Sequence, residues 1–371
     1  MISLEQVVSA LSSAGDPWEA GITSLSELPF EAQKKYLGVV DSPPGAPSID
    51  KSEQDLKAIK ARLKADTIAA TGAPNAYDLR NIGGKNFVTP IKNQSTCGSC
   101  VAFAAVATVE SRLLIQRNNP DPNAVDLSEA HLFFCHGPDS DASCADGWYP
   151  HYAFEAFKSQ GVTDEECYSY DSGLANRDCS GLCDNWADHV VKIEEYIDLT
   201  RKPAEIKRWL SSNKGPVSAC FYVYEDFYRY TRGIYEYQTG KLVGGHCVTI
   251  VGYNDNPGYW ICKNSWGTNW GEDGFFRIAY GECLIENYYN HGVEAIIETG
   301  WLNNQSVIGL WATDHNRNAW VYFANLGWRK ISPDKDNIFF NMLTQLIAAK
   351  AAARPVRFYQ ENAVIKQIYV Y

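Results

Sequence analysis

The sequence predicts an α+β fold of two facing halves, flanked by a helical segment at the N-terminal end and a small separate α/β module at the C-terminal end. Three observations predict it. All 11 cysteines lie between Cys97 and Cys283, which sets one region apart from its flanks. Within that region a helical run from Cys100 to about Arg117 comes early. The β-branched and aromatic runs "GPVSACFYVY", "HCVTIVGY", "GYWICKNSW" and "GFFRIAY" come late, separated by turns, so helix and strand segregate along the chain. Finally, residues 303–371 hold 8 Lys/Arg against 4 Asp/Glu, a net +4, while the remainder stands at −15.

Bulk composition narrows the function classes. At 371 residues, 45% hydrophobic and 21% charged, the chain has material for a sizeable core and for more than one domain. Lys+Arg 33 against Asp+Glu 44 leaves −11, which argues against wholesale binding to nucleic acid or an anionic membrane. No stretch approaches the roughly 18 apolar residues of a membrane span. The opening "MISLEQVVSALSSAGDPW" has neither a basic n-region nor an unbroken apolar run, so no export signal is expected there. The cysteine count nevertheless suits an oxidising, secreted or lysosome-like compartment in which several thiols pair, and an odd total leaves at least one free.

Residues 1–74 contain no cysteine and show helical periodicity around 3–13 and 30–37. The breaker cluster "DSPPGAPS" follows, then the helix-like "KSEQDLKAIKARLKAD" and the small-residue stretch "TIAATGAP", a pliable and cleavable connection. Residues 75–300 carry the cysteines and the motifs. In residues 303–371, strand-like "SVIGLWA" and "AWVYFANL" precede helix-like "NIFFNMLTQLIAAKAA", and "RPVRFYQ" and "AVIKQIYVY" close a ββαββ pattern.

The chemistry starts at "KNQSTCGSCVAF", residues 92–103. A CxxC pair can hold zinc, cycle as a dithiol, or place a nucleophile beside a structural cysteine. Cys100 opens the apolar helix, where unpaired N–H groups and the helix dipole favour a thiolate, the form that attacks carbonyls. Cys97 precedes the helix and is assigned a structural disulfide. An oxyanion formed at Cys100 needs fixed donors, which its own backbone N–H and the Gln94 side-chain amide can supply. His246, at the head of the apolar strand "GGHCVTIVGY", can serve as base; Asn264 can orient its ring and Trp266 can cover the pair.

With "DLSEAHLFFC", "GPVSACFYVYEDFYRYTRGIY" and "KNSWGTNWGEDGFFRI", these segments resemble, in order and spacing, the papain-like cysteine peptidases, the family of the cathepsins, from about residue 75 to 295. The resemblance implies a helical left domain and a β-barrel right domain with a cleft between them. It assigns Cys100 as nucleophile held as thiolate against an imidazolium, His246 as general base and acid, Asn264 as ring-orienting amide, Gln94 as oxyanion donor and Trp266 as shield. It implies disulfides Cys97–Cys144 and Cys135–Cys179, with Cys167–Cys183 a third, local pair. Cys220, Cys247, Cys262 and Cys283 are left as small buried thiols. No cofactor or metal is implied, and the substrate is a peptide or protein.

Departures from the family pattern bear on specificity. Val101 replaces a tryptophan beside the nucleophile, Gly245 replaces an aspartate before the histidine, and in "SCADGWYP" Asp146 replaces the first glycine of the substrate-backbone loop while Gly147 remains. Trp148, Gly244 and Tyr288 align with the pocket for the second residue before the cleaved bond (P2), implying an apolar or aromatic preference. No histidine lies between Cys167 and Trp186 to hold a substrate carboxylate, which favours endopeptidase over exopeptidase activity. Residues 1–74 occupy the place of an inhibitory propeptide, an intramolecular partner, with processing expected between Asp66 and Asn75. Trp311, Trp320 and Trp328 either form, with basic residues, an accessory surface for a polymer or protein, or belong to the core of the C-terminal module; core is the preferred reading for most of them, and the sequence does not name a ligand. Three other classes fit less of the pattern: an acyltransferase or transglutaminase-type enzyme with the same trio, an inactive papain-like binding protein, and a zinc module on "CSGLC" with His189.

Overall fold

A computed structural model of the chain describes residues 2–40, 53–68, 72–298, 300–313, 317–324, 326–361 and 364–371. The N-terminal segment contributes helix α1 (Leu4–Ser13), strand β1 (Trp18–Ala20), helix α2 (Phe30–Lys34) and helix α3 (Glu53–Ile68). The "DSPPGAPS" cluster lies outside the described residues. Helix α1 starts on a capping box: Ser3 Oγ accepts from the Gln6 amide, and Gln6 Oε1 accepts from the Ser3 amide. Strand β1, absent from the sequence reading, buries Trp18, whose indole donates to the Glu236 carbonyl at 2.8 Å.

Next come β2 (Ala76–Asp78), α4 (Cys100–Gln116), a π-helical turn His131–His136, α5 (Pro150–Ser159), α6 (Tyr170–Asn176), β3 (Val191–Asp198), α7 (Pro203–Ser211), β4 (Val217–Tyr224), β5 (Tyr230–Tyr235), β6 (Leu242–Asn254), β7 (Tyr259–Lys263), β8 (Phe275–Ala279) and β9 (Tyr288–Glu298). Helix α4 is apolar on all sides, and every residue from Cys100 to Ser111 is buried, as expected of a helix run through a core. The sheet is ordered β1-β5-β8-β7-β6-β4-β9-β3, with β2 also pairing β6. One hydrophobic cluster surrounds α4 and α5; a second lies within the strand-rich half.

The loop entering α4 is tied down by charge. Lys92 pairs with Glu110 at 3.2 Å, Asp126 at 2.7 Å and Glu129 at 2.9 Å, and the two glutamates are almost wholly buried. Replacing Lys92 by methionine removes the cation paired with those carboxylates and leaves only the buried Lys263, which makes no ion pair with them, so we expect a loss of about 3 kcal/mol, read as a lower urea midpoint.

The C-terminal part forms its own six-stranded sheet and core. Strands β10 (Gly300–Gln305), β11 (Val307–Ala312), β12 (Ala319–Phe323) and β13 (Gly327–Ile331) precede helix α8 (Asp336–Ala351), and β14 (Val356–Glu361) and β15 (Val364–Val370) follow, in the order β10-β14-β15-β13-β12-β11. This corrects the ββαββ expectation: two further strands precede the helix, because "GWRKI" pairs with β12 and residues 300–305 pair with β14. The reading of the tryptophans is corrected too. Helix α8 covers one face through Phe339, Met342 and Leu346. Strand alternation puts Val321, Phe323 and Ile331 on that face and sends Trp320, Tyr322 and Trp328 to the other. Trp311 and Trp328 stay 50% and 48% exposed.

Candidate active site

Cys100 is the first residue of α4, with Ser99 at the N-cap, and is fully buried. Strand β6 brings His246 and Cys247 alongside: the Cys247 amide reaches the Cys100 sulfur, as do those of Gly38 and Val101. His246 is fully buried, and its Nε2 lies 2.8 Å from Asn264 Oδ1, which also accepts from the Ser265 amide. The other ring nitrogen, Nδ1, has no hydrogen-bond partner. The Trp266 ring lies 4.7 Å from the imidazole, tilted by 31°, and closes the site from that side. Across the pairing of β4 with β6, Cys220 faces Cys247, and their sulfurs are 2.6 Å apart.

Gln94 is buried with its carboxamide fully engaged. Its Nε2 donates to the carbonyls of Cys97 at 2.8 Å and Tyr36 at 3.2 Å, and its Oε1 accepts from Ser265 Oγ at 2.7 Å. Cys97 is bonded to Cys144, Cys135 to Cys179 and Cys167 to Cys183. Cys179 and Cys183 are thus consumed by different bridges, which removes the zinc reading of "CSGLC". Among the described residues no group of His, Cys, Asp and Glu is arranged to hold a metal, and no helix is long and apolar enough to cross a membrane.

The cleft is occupied by the chain itself, through residues the sequence reading did not single out. The amides of Gly38 and Val39 donate to the Gly245 carbonyl at 3.2 and 3.3 Å, the Trp148 amide donates to the Gly38 carbonyl at 2.9 Å, and the Val40 amide reaches the Trp148 carbonyl at 3.5 Å. Residues 38–40 thus run as a short strand between the two walls, with Gly38 over the sulfur. Gly147 is pressed against this strand: a Cβ there, where φ is +88°, would sit 2.2 Å from the Gly38 carbonyl oxygen.

The specificity residues are placed unequally. Gly244 faces the Leu37 side chain, and Tyr288 lies beneath Gly245 with its ring against Tyr222. Trp148 lends its backbone to the cleft, while its indole turns down into the core, packs edge-on against Phe133 and donates to Ser140 Oγ at 2.9 Å. Tyr149, the next residue, was not singled out; its ring meets His151 at a tilt and Tyr152 edge-on.

Electrostatics correct one expectation. The resemblance implied a thiolate, yet in this covered state burial, then the neighbouring Cys247, push the Cys100 thiol well up, and the three amides only partly oppose them. Burial likewise holds His246 down at about 4, with Asn264 opposing. Burial thus disfavours the charged form of both groups in this covered state, in which residues 38–40 lie over the sulfur.

A thiol on a helix end, set beside an imidazole–amide pair on a neighbouring sheet, is the construction of a thiol hydrolase. The chain belongs to the papain family: the profile of "Papain family cysteine protease" matches residues 73–293, and the protein is a cysteine peptidase. It is similar to cathepsin B-like CP3 of Giardia intestinalis, 36% identical over 240 residues, or 62% of this chain and 78% of that one. Cathepsin B-like cysteine proteinase 3 of Caenorhabditis elegans is 31% identical over 317 residues, 77% of this chain and 81% of that one. Among solved structures, digestive procathepsin L2 proteinase from Tenebrio molitor larval midgut, 27% identical, matches 79% of this chain and 89% of its own with a TM-score of 0.59. The procathepsin B S9 of Trypanosoma congolense shares the fold at 21% identity and a TM-score of 0.63, over 79% of this chain and 98% of its own.

Proposed function

We propose that the chain is the zymogen of a cysteine endopeptidase, with residues 1–74 as inhibitory pro-segment, 75–300 as peptidase and 303–371 as accessory module. The observation that carries this reading is the strand of residues 38–40, hydrogen-bonded to Gly245 and Trp148 above Cys100. A polypeptide fits there, and the one seated there prevents another from entering.

In the opened enzyme the Cys100 thiolate attacks the substrate carbonyl carbon. The resulting oxyanion is held by the Cys100 amide and by Gln94 Nε2, whose bond to the Tyr36 carbonyl is released when the segment leaves. Imidazolium at His246 gives its proton to the leaving amine, and the acyl group stays on sulfur. His246 then takes a proton from water, whose oxygen attacks the thioester and regenerates the thiol. Asn264 keeps the ring in place, and Trp266 shields that hydrogen bond from solvent. An apolar P2 preference is supported by Val39, which packs against Gly245 beside the Tyr288 hydroxyl.

Incubation of the full-length chain at acidic pH tests this. We expect cleavage between Asp66 and Asn75 to coincide with the appearance of activity on a peptide with an aromatic P2 residue, and neither event in Cys100→Ala. A full-length chain that stays intact yet is fully active would refute it.

A further inference from the structure

We propose that the uncovered face of the C-terminal sheet is a docking site for proline-rich polypeptide in the extended polyproline conformation. Trp311, Trp320 and Trp328, brought together from β11, β12 and β13, line an open concavity of about 370 Å³. Trp311 and Trp328 are half exposed there, whereas the opposite face of the same sheet is packed under α8. Three converging indoles left in water by a sheet that has a core elsewhere imply an occupant.

The lining states what that occupant must offer. Trp320 Nε1 already donates to Asn318 Oδ1 at 3.1 Å, but those of Trp311 and Trp328 make no hydrogen bond among the described residues. The Lys330 ammonium stands 5.9 Å from the centre of the Trp320 ring. The described lining therefore supplies flat apolar faces and donors, and no acceptor. A cationic ligand is disfavoured, because a lysine already stands over one ring and no carboxylate is among the described lining residues. Sugar hydroxyls would keep water as their acceptor in this open concavity and gain no matching acceptor from the described lining. Proline rings stack on indoles, their carbonyls accept from the indole N–H groups and Lys330, and proline brings no N–H of its own. The polyproline helix is also pre-ordered, so binding costs little chain entropy. The site would tether proline-rich stretches of substrate to the peptidase.

Binding, not hydrolysis, tests this, so the outcome does not depend on the catalytic reading. In the full chain carrying Cys100→Ser, fluorescence anisotropy of a labelled oligoproline and of a peptide spanning residues 41–49, "DSPPGAPSI", is followed with a Gly/Ser peptide as control. We expect the two proline peptides alone to bind, and Trp311→Ala and Trp328→Ala each to weaken them about tenfold with circular dichroism unchanged. No binding of oligoproline, binding indifferent to both substitutions, or displacement of oligoproline by a neutral oligosaccharide or a single-stranded oligonucleotide would overturn it.

Discussion

Replacing Gly38 by alanine is expected to open the cleft of the unprocessed chain. A Cβ built at Gly38 would lie 2.0 Å from the Gly98 carbonyl oxygen, 2.4 Å from its carbon and 2.7 Å from its Cα. Those atoms cannot step aside: Gly98 sits between the Cys97–Cys144 disulfide and the start of α4, and its amide is bonded to the Cys144 carbonyl at 3.0 Å. The strand must therefore withdraw, giving up its hydrogen bonds to Gly245 and Trp148. Of these four bonds two share the Gly245 carbonyl and one is long at 3.5 Å, so they count as two or three full bonds; at about 1 kcal/mol each, their loss corresponds to roughly a hundredfold in the closed-to-open ratio. Iodoacetamide should alkylate Cys100 in unprocessed Gly38→Ala about a hundredfold faster than in the parent near neutral pH. The rest of the segment should stay attached, because β1 remains paired with β5, Thr23 Oγ1 keeps its bond to the Tyr228 carbonyl, and the Tyr228 hydroxyl keeps its bond to the Gln33 carbonyl. An unchanged alkylation rate would show that Gly38 does not set the fit.

The contrast between Gly38 and Cys100 shows what was legible in the sequence. Cys100, Gln94, His246 and Asn264 could be singled out because each sits in a local pattern with chemical meaning: a thiol opening an apolar helix, an amide six residues earlier, a histidine heading a buried strand. The structure pairs His246 with Asn264, bonds Gln94 to the neighbouring Ser265, and buries Cys100 at the head of α4 against the Cys247 amide. Gly38 has no such pattern. It is one glycine between Leu37 and Val39, and its importance comes from opposing Gly98 and Gly147, which lie about 60 and 110 residues further along the chain. Trp148 is legible only in part: adjacency to Gly147 says that its backbone lines the cleft, but the direction of its ring, edge-on to Phe133, is set by the packing around it. The C-terminal tryptophans could not be placed either, since alternation fixes which residues share a face and only the packing of α8 decides which face is wet.

In the processed enzyme, His246→Ala is expected to lower kcat/KM by about four orders of magnitude, the scale on which members of such catalytic sets act when removed. In the zymogen the same residue has a second, measurable effect, and its sign follows from burial. His246 is held at about 4 when covered, below the ordinary value of about 6.5 that exposure would restore. The open form therefore takes up a proton more readily than the closed one. The closed form keeps its full advantage above about pH 6.5, loses it as pH falls toward about 4, and loses no more below that, for a total of roughly 3 kcal/mol. Cys100→Ala removes self-cleavage, so release of the N-terminal segment can be followed by its sensitivity to an added protease. Between pH 6.5 and 4 that sensitivity should rise steeply in Cys100→Ala and much less in Cys100→Ala with His246→Ala. The Lys60 ion pairs to Glu282 and Glu236, which also tie the segment down, are common to both proteins and cancel in the comparison. Equal profiles would mean that acid opens the cleft through those anchoring carboxylates and leaves the buried imidazole without a part in it.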